Sequence, residues 1–136
     1  MDNTNQVFVV DNDPSARHGL VRLLIAAGHN VKNYASLKDL FGSLESSVSG
    51  CLLLDVDVPE TSFNKLMDKL KALNADLSII IISANEGDKT IKGKSWKKKA
   101  EGFFRKPVDG VALIDAIEWA LRSKTGNANN SYTKND

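Results

Sequence analysis

The side chains able to do chemistry in this chain stand at the ends of apolar runs. "QVFVV" at 6–10 stops at Asp11, Asn12 and Asp13, and "CLLL" at 51–54 stops at Asp55, Val56 and Asp57. "IIII" at 79–82 stops at Ser83, and "GFFR" at 102–105 leads into Lys106 and Pro107. A carboxylate nucleophile, a hydroxyl, a lysine and cation-binding acids are the parts needed for phosphoryl transfer to an aspartate, because attack on phosphorus needs fixed positive charge on the phosphoryl oxygens. Taken singly, each has a plainer explanation. An aspartate or serine after a strand commonly starts a turn or caps a helix, the reading that suits Asp13, and a lysine is commonly a solvated charge. The argument for a site therefore rests on convergence, and convergence is a question about the elements that carry these residues.

The runs at 7–10, 51–54 and 79–82 are continuous rather than alternating, which suits strands buried on both faces. Weaker strands fit "NVKNY" at 30–34 and "GFFR" at 102–105. Helical stripes lie between them. Ala16, Leu20, Leu23, Leu24 and Ala27 share one face, with Asp13 as cap, Pro14 in the first turn and Gly28 at the exit. Ser36 and Asp39 resemble a capping box ahead of Leu37, Leu40, Phe41 and Leu44. Phe63, Leu66, Met67, Leu70 and Leu73 form a third stripe, and Asp109 can cap a last helix carrying Val111, Leu113, Ile114, Ile117 and Leu121. A sparser helix is expected over 89–100. Strand and helix alternate five times, which predicts an α/β fold with a parallel sheet and helices on both faces. In such a sheet sites form beyond the carboxyl ends of the strands, where strand order reverses.

A chain of 136 residues with 42% hydrophobic content suits one core, and its formal charge of +1 gives no global pull toward nucleic acid or membrane. The longest aliphatic run is far too short to span a bilayer, and the polar N-terminus reads as unprocessed. Cys51 is alone, so it can form neither an intramolecular disulfide nor a cysteine zinc cluster, and it reads as a small buried residue in a cytoplasmic protein. His18 and His29 lack the spacing of a metal site, and Trp96 and Trp119 are read as packing residues. From residue 124 the chain is too polar to pack. The expected division is one domain over 1–123 and a flexible tail or linker start over 124–136.

"VVDNDPSAR", "LLLDVDVP", "IIISA" and "GFFRKP", in that order, resemble the receiver domain of two-component response regulators. The phrasing around "DPSARHGLVRLLIAAGH" is similar to receivers that precede helix-turn-helix output domains. The resemblance implies a flavodoxin-like, doubly wound sheet of order 2-1-3-4-5 with five helices. It makes Asp55 the phosphoacceptor for a histidine kinase or a small phosphodonor. Asp11, Asn12, Asp55 and the backbone carbonyl of Asp57 would hold Mg²⁺. Ser83 would hydrogen-bond the phosphoryl group, and Lys106, before a cis Pro107, would pair with its oxygens. Ser83 and Phe103 would be the switch pair. An output domain or partner protein would dock on the fourth helix, fifth strand and fifth helix, with a homodimer as a further form. Neither membrane association nor direct nucleic-acid binding is implied, and the only catalysis is self-phosphorylation and self-dephosphorylation.

The chain departs from that family at four places. Asn12 stands where a second acid is usual; its amide oxygen can ligate a hard cation but adds no charge, so weaker Mg²⁺ binding and slower phosphorylation are expected. Asp57 adds a carboxylate that either restores the charge or repels phosphate. Phe63 replaces a common glycine and reads as a core residue of the third helix. Between 89 and 106 eight basic residues face one acid, Glu101, which reads as a solvated face or as a contact for an acidic partner or nucleic acid. Asn12 also keeps open a degenerate receiver that binds partners without phosphorylation. A third reading, a haloacid-dehalogenase-like phosphatase with Asp55 as nucleophile and Asp57 as acid, suits "LLLDVDVP" but not its place on a third strand. A flavin-binding module would need a Ser/Thr/Gly-rich phosphate loop after the first strand, which is absent from the sequence.

Overall fold

Alternation along each strand sends side chains to opposite faces, and in this chain both faces are apolar. Phe8, Val10, Leu52, Leu54, Ile79 and Ile81 enter one core layer, while Val7, Val9, Cys51, Leu53, Ile80 and Ile82 enter the other. That is why the three central runs read as continuous. The computed structural model describes residues 6–55, 60–83 and 100–125. Its strands are β1 (Gln6–Val10), β2 (Asn30–Tyr34), β3 (Ser49–Asp55), β4 (Asp76–Ser83) and β5 (Gly102–Arg105). They form a parallel sheet of order β2-β1-β3-β4-β5, as the resemblance implied. The chain passes from β2 on one side of β1 to β3 on the other, so strand order reverses between β1 and β3.

The helices are α1 (Pro14–Ala26), α2 (Leu37–Phe41), α3 (Glu60–Ala72) and α4 (Gly110–Arg122), the last being the fifth helix of the sequence reading. Leu37 and Leu40 of α2 and Phe63, Leu66 and Leu70 of α3 close the first layer. Leu24 of α1 and Leu113, Ile117, Ala120 and Leu121 of α4 close the second, with Trp119 packed at its margin. Phe63 is fully buried, the core role its place in the α3 stripe implied. The helix expected over 89–100, with Trp96 and most of the basic segment, lies outside the described residues.

Local rules fix the boundaries. Asp13 caps α1 by accepting from the Ser15 amide at 3.1 Å, and Asp109 caps α4 by accepting from Val111 and Ala112. Asn74, with φ of 55°, turns the chain out of α3 in the left-handed region that asparagine tolerates. Gly50 is required by close approach, since a Cβ there would run into the Gln6 carbonyl between β1 and β3. α2 is shorter than its apolar stripe. It stops at Phe41, and the Ser43 hydroxyl donates to the Leu40 carbonyl at 3.1 Å and pairs with the Tyr34 hydroxyl at 2.7 Å, so Leu44 packs from a loop. At the other end, the 3-10 turn Ser123–Thr125 follows α4 directly. Lys124, expected to begin a polar tail, is largely buried and donates to Asp76 Oδ1 at 2.8 Å.

Candidate functional site

Three of the four candidate groups of the sequence are brought to the carboxyl edge of the sheet and buried there. Asp11 is 2% exposed, Asp55 8% and Ser83 5%. Asp11 continues β1 by one residue, its amide donating to the Tyr34 carbonyl at 3.2 Å, and β1 and β3 run in register from Gln6 against Gly50 to Val10 against Leu54. Asp11 and Asp55 are therefore successors of paired residues on neighbouring strands. Ser83 pairs with Arg105, and the Lys106 amide donates to the Ser83 carbonyl at 2.8 Å, which carries the β4–β5 ladder up to Lys106.

Lys106 closes the site. Its Nζ lies 3.1 Å from Asp11 Oδ2 and 3.9 Å from Asp55 Oδ2, with the side chain 24% exposed. The peptide bond to Pro107 is cis, as the resemblance implied. Two largely buried carboxylates against one ammonium leave the group net negative, and its hard oxygen donors suit a divalent cation such as Mg²⁺ rather than a soft metal. Among the described residues no third acid, histidine or cysteine joins them in a metal-binding cluster. Asn12 is exposed at the rim, and Asp13 is occupied as the α1 cap. Asp57 lies outside the described residues. Phe103, on β5 opposite Ile81, is 43% exposed. Cys51 is fully buried away from this edge, where burial pushes its thiol up to about 12, so it is inert as a nucleophile.

One residue of this region was not picked out by the sequence. Arg17, in the second turn of α1, donates through Nη1 to the Asp11 carbonyl at 2.6 Å and through Nε to Asn33 Oδ1 at 3.1 Å. A signal existed: a cation near a helix N-terminus opposes the helix dipole and so needs some other partner.

A family model described as response regulator receiver domain matches residues 7–118. Transcriptional regulatory protein TdiR of Thauera aromatica is 35% identical over 119 residues, 88% of this chain and 52% of its own length. Response regulator protein TodT of Pseudomonas putida is 32% identical over 121 residues, 89% of this chain and 53% of its own. Among solved structures, response regulator StyR superposes with a TM-score of 0.75 at 34% identity, covering 91% of this chain and 62% of that one. Fold, site and comparisons together define a signalling receiver, and the chain belongs to the response-regulator receiver family. Receivers of this family act with histidine kinases and output domains, accept phosphate and generally bind Mg²⁺. This chain spans about half the length of the curated relatives it matches. Membership, with Asp55 on the third strand, sets the phosphatase reading aside. No helix among the described residues is long and apolar enough to cross a membrane.

Proposed function

We propose that this receiver takes a phosphoryl group on Asp55 from the phosphohistidine of a histidine kinase, or from a small acyl phosphate. The observation that carries the reading is Lys106 Nζ set at 3.1 and 3.9 Å from two buried carboxylates at the ends of β1 and β3. An Asp55 oxygen attacks phosphorus, a P–O bond forms as the bond to the donor nitrogen or oxygen breaks, and the leaving group keeps the electron pair. Lys106 pairs with the phosphoryl oxygens, and Ser83 hydrogen-bonds the phosphoryl group once it is in place. Attack by water on phosphorus returns the Asp55 carboxylate and inorganic phosphate, so the chemistry is a self-catalysed phosphorylation and dephosphorylation rather than turnover of an external substrate.

Asp11, Asn12, Asp55 and the Asp57 carbonyl would hold Mg²⁺. When bound, the ion neutralises the incoming phosphate and the Asp55 carboxylate together. Asn12 supplies an oxygen without charge, which weakens the site without removing a donor. Regulation runs through Ser83 and Phe103 to a surface that includes β5 and α4. In support, a groove of about 300 Å³ between β5 and α4 has an apolar floor that includes Ile80, Phe104, Ala116 and Trp119, with the acids Glu101 and Asp115 also lining it. An output domain or a partner protein docks there. The protein is cytoplasmic.

Incubation with acetyl phosphate and Mg²⁺ followed by intact-mass measurement tests this. One phosphoryl adduct is expected on the wild type and none on Asp55→Asn. A wild type that stays unmodified while a working receiver is labelled would overturn the proposal and leave a phosphorylation-independent binding module.

A further inference from the structure

Each polar atom of Asp11 has a partner. Its amide donates to the Tyr34 carbonyl at 3.2 Å, Oδ1 accepts from the Asp13 amide at 3.0 Å, Oδ2 faces Lys106 Nζ at 3.1 Å, and its carbonyl accepts from Arg17 Nη1 at 2.6 Å. The carbonyl contact differs in kind from the rest. Beyond the Asp11 amide the β1–β2 ladder has ended, since β2 stops at Tyr34, and the next backbone oxygen would be left to water or to a stray donor. The Arg17 guanidinium takes that oxygen in a short, charge-assisted bond and is itself aimed by Asn33, one residue before the end of β2.

The peptide plane between Asp11 and Asn12 contains this carbonyl. Holding the oxygen toward β2 fixes that plane, and with it the direction in which the Asn12 side chain leaves the turn and the setting of the Asp11 carboxylate. Arg17 also keeps its charge on the β2 side of the turn, bound to two acceptors, instead of competing with Lys106 for Asp11 and Asp55. We propose that Arg17 is the positioning residue of the metal pocket: by clamping the Asp11 carbonyl to Asn33 it sets Asp11 and Asn12 for Mg²⁺ without touching the ion. The inference rests on the phosphoacceptor reading for its purpose, but its readout is metal binding itself. The device has particular weight in this chain. With an uncharged amide at position 12, affinity depends on how well the oxygens are placed rather than on how much charge they carry.

Calorimetric titration of Mg²⁺ into the whole chain and its variants is the test, with acetyl phosphate labelling alongside. Arg17→Met keeps the aliphatic stem and is expected to raise the half-saturating Mg²⁺ roughly tenfold, the size seen when an outer partner of a metal ligand is lost. Arg17→Lys, which keeps a cationic donor for the carbonyl, should recover to within about threefold of wild type on the same scale. At saturating Mg²⁺ the labelling rate of Arg17→Met should return to within about twofold of wild type, since the residues in contact with the phosphoryl group are unchanged. A purely structural role would lower the unfolding midpoint and leave the Mg²⁺ constant of the folded variant where it was; that result overturns the inference. Should Arg17→Met fail to fold, Asn33→Leu decides in its place, with a rise of about threefold expected and no change counting against the proposal. A wild type that binds no Mg²⁺ overturns it as well. A wild type that binds Mg²⁺, loses affinity in the variants and yet takes no phosphoryl group overturns the function proposed above and leaves this inference standing.

Discussion

Lys106 donates to Asp11 Oδ2 at 3.1 Å across 95 residues of chain, joining the end of β5 to the end of β1 over the intervening strands. The Asp11 side chain is 3% exposed and the Lys106 side chain 24%, so the carboxylate depends on this cation more than the cation depends on it. Asp55, at 3.9 Å from the same nitrogen, adds a second negative charge that the ammonium holds in check. Lys106→Met should therefore destabilise the metal-free protein by about 2 kcal/mol, less than the roughly 3–5 kcal/mol of a fully buried pair that loses one partner, because the lysine is partly solvated. It should also slow phosphoryl labelling of Asp55 by on the order of a hundredfold, as when one preorganised electrostatic donor is removed. Urea unfolding without Mg²⁺ and the labelling time course check the two parts.

Asn12→Asp restores the acid at the rim of the pocket. It should tighten Mg²⁺ roughly tenfold, because a ligand oxygen gains charge without moving. Position 12 is exposed, so the added repulsion toward Asp11 and Asp55 in the metal-free protein should cost less than about 1 kcal/mol. An unchanged Mg²⁺ titration would remove position 12 from the pocket.

Asp13 and Asp11 are close in sequence and opposite in role. The Asp13 side chain accepts from the Ser15 amide, while its own amide, which any residue supplies, donates to Asp11 Oδ1. Asp13→Ala should cost about 1 kcal/mol of stability, the loss of a helix cap, and leave Mg²⁺ affinity within about twofold. A large fall in affinity would make Asp13 part of the pocket.

Phe63 fills the layer between α3 and the sheet and is fully buried. Phe63→Ala should cost about 3–5 kcal/mol. Phe63→Gly, the residue common at this point in the family, should cost roughly 1 kcal/mol more, because glycine is the poorer helix former and fills no more of the cavity. Denaturant unfolding of the two variants side by side gives both differences.

Cys51 carries the one pH prediction. Its thiol is pushed up from 9.0 to about 12, first by burial and then by the charge of Glu101, against a smaller opposing effect of Lys124. The folded protein thus keeps a proton that the unfolded chain releases at lower pH. The resulting stability is fully present below about pH 9 and is lost as pH rises toward about 12. A thiol reagent at pH 8 should leave the native protein unmodified and label it at once in denaturant; rapid native labelling would contradict the burial.

Much of this was legible in the residues. The runs at 7–10, 51–54 and 79–82 are strands because β-branched and leucine-rich stretches of that length bury both faces, and the weaker β2 and β5 take their places through pairing with β1 and β4. Asp13, Ser36 and Asp109 cap helices as their spacing implied, since capping is settled within three or four residues. The extent of α2 was not legible, because Ser43 ends it through a hydroxyl shared with Tyr34, which β2 brings alongside.

By itself the sequence determined the alternation of strand and helix, the polar residues at each strand end and the missing charge at Asn12, all of which are properties of neighbours along the chain. Only the tertiary structure decided that Lys106 faces Asp11 and Asp55, that Arg17 holds the Asp11 carbonyl through Asn33, and that Lys124 folds back onto Asp76. Those contacts depend on strand order and on the distances between strand ends. A parallel sheet sets both only when its crossovers have closed, because each crossover brings together residues that no local rule relates.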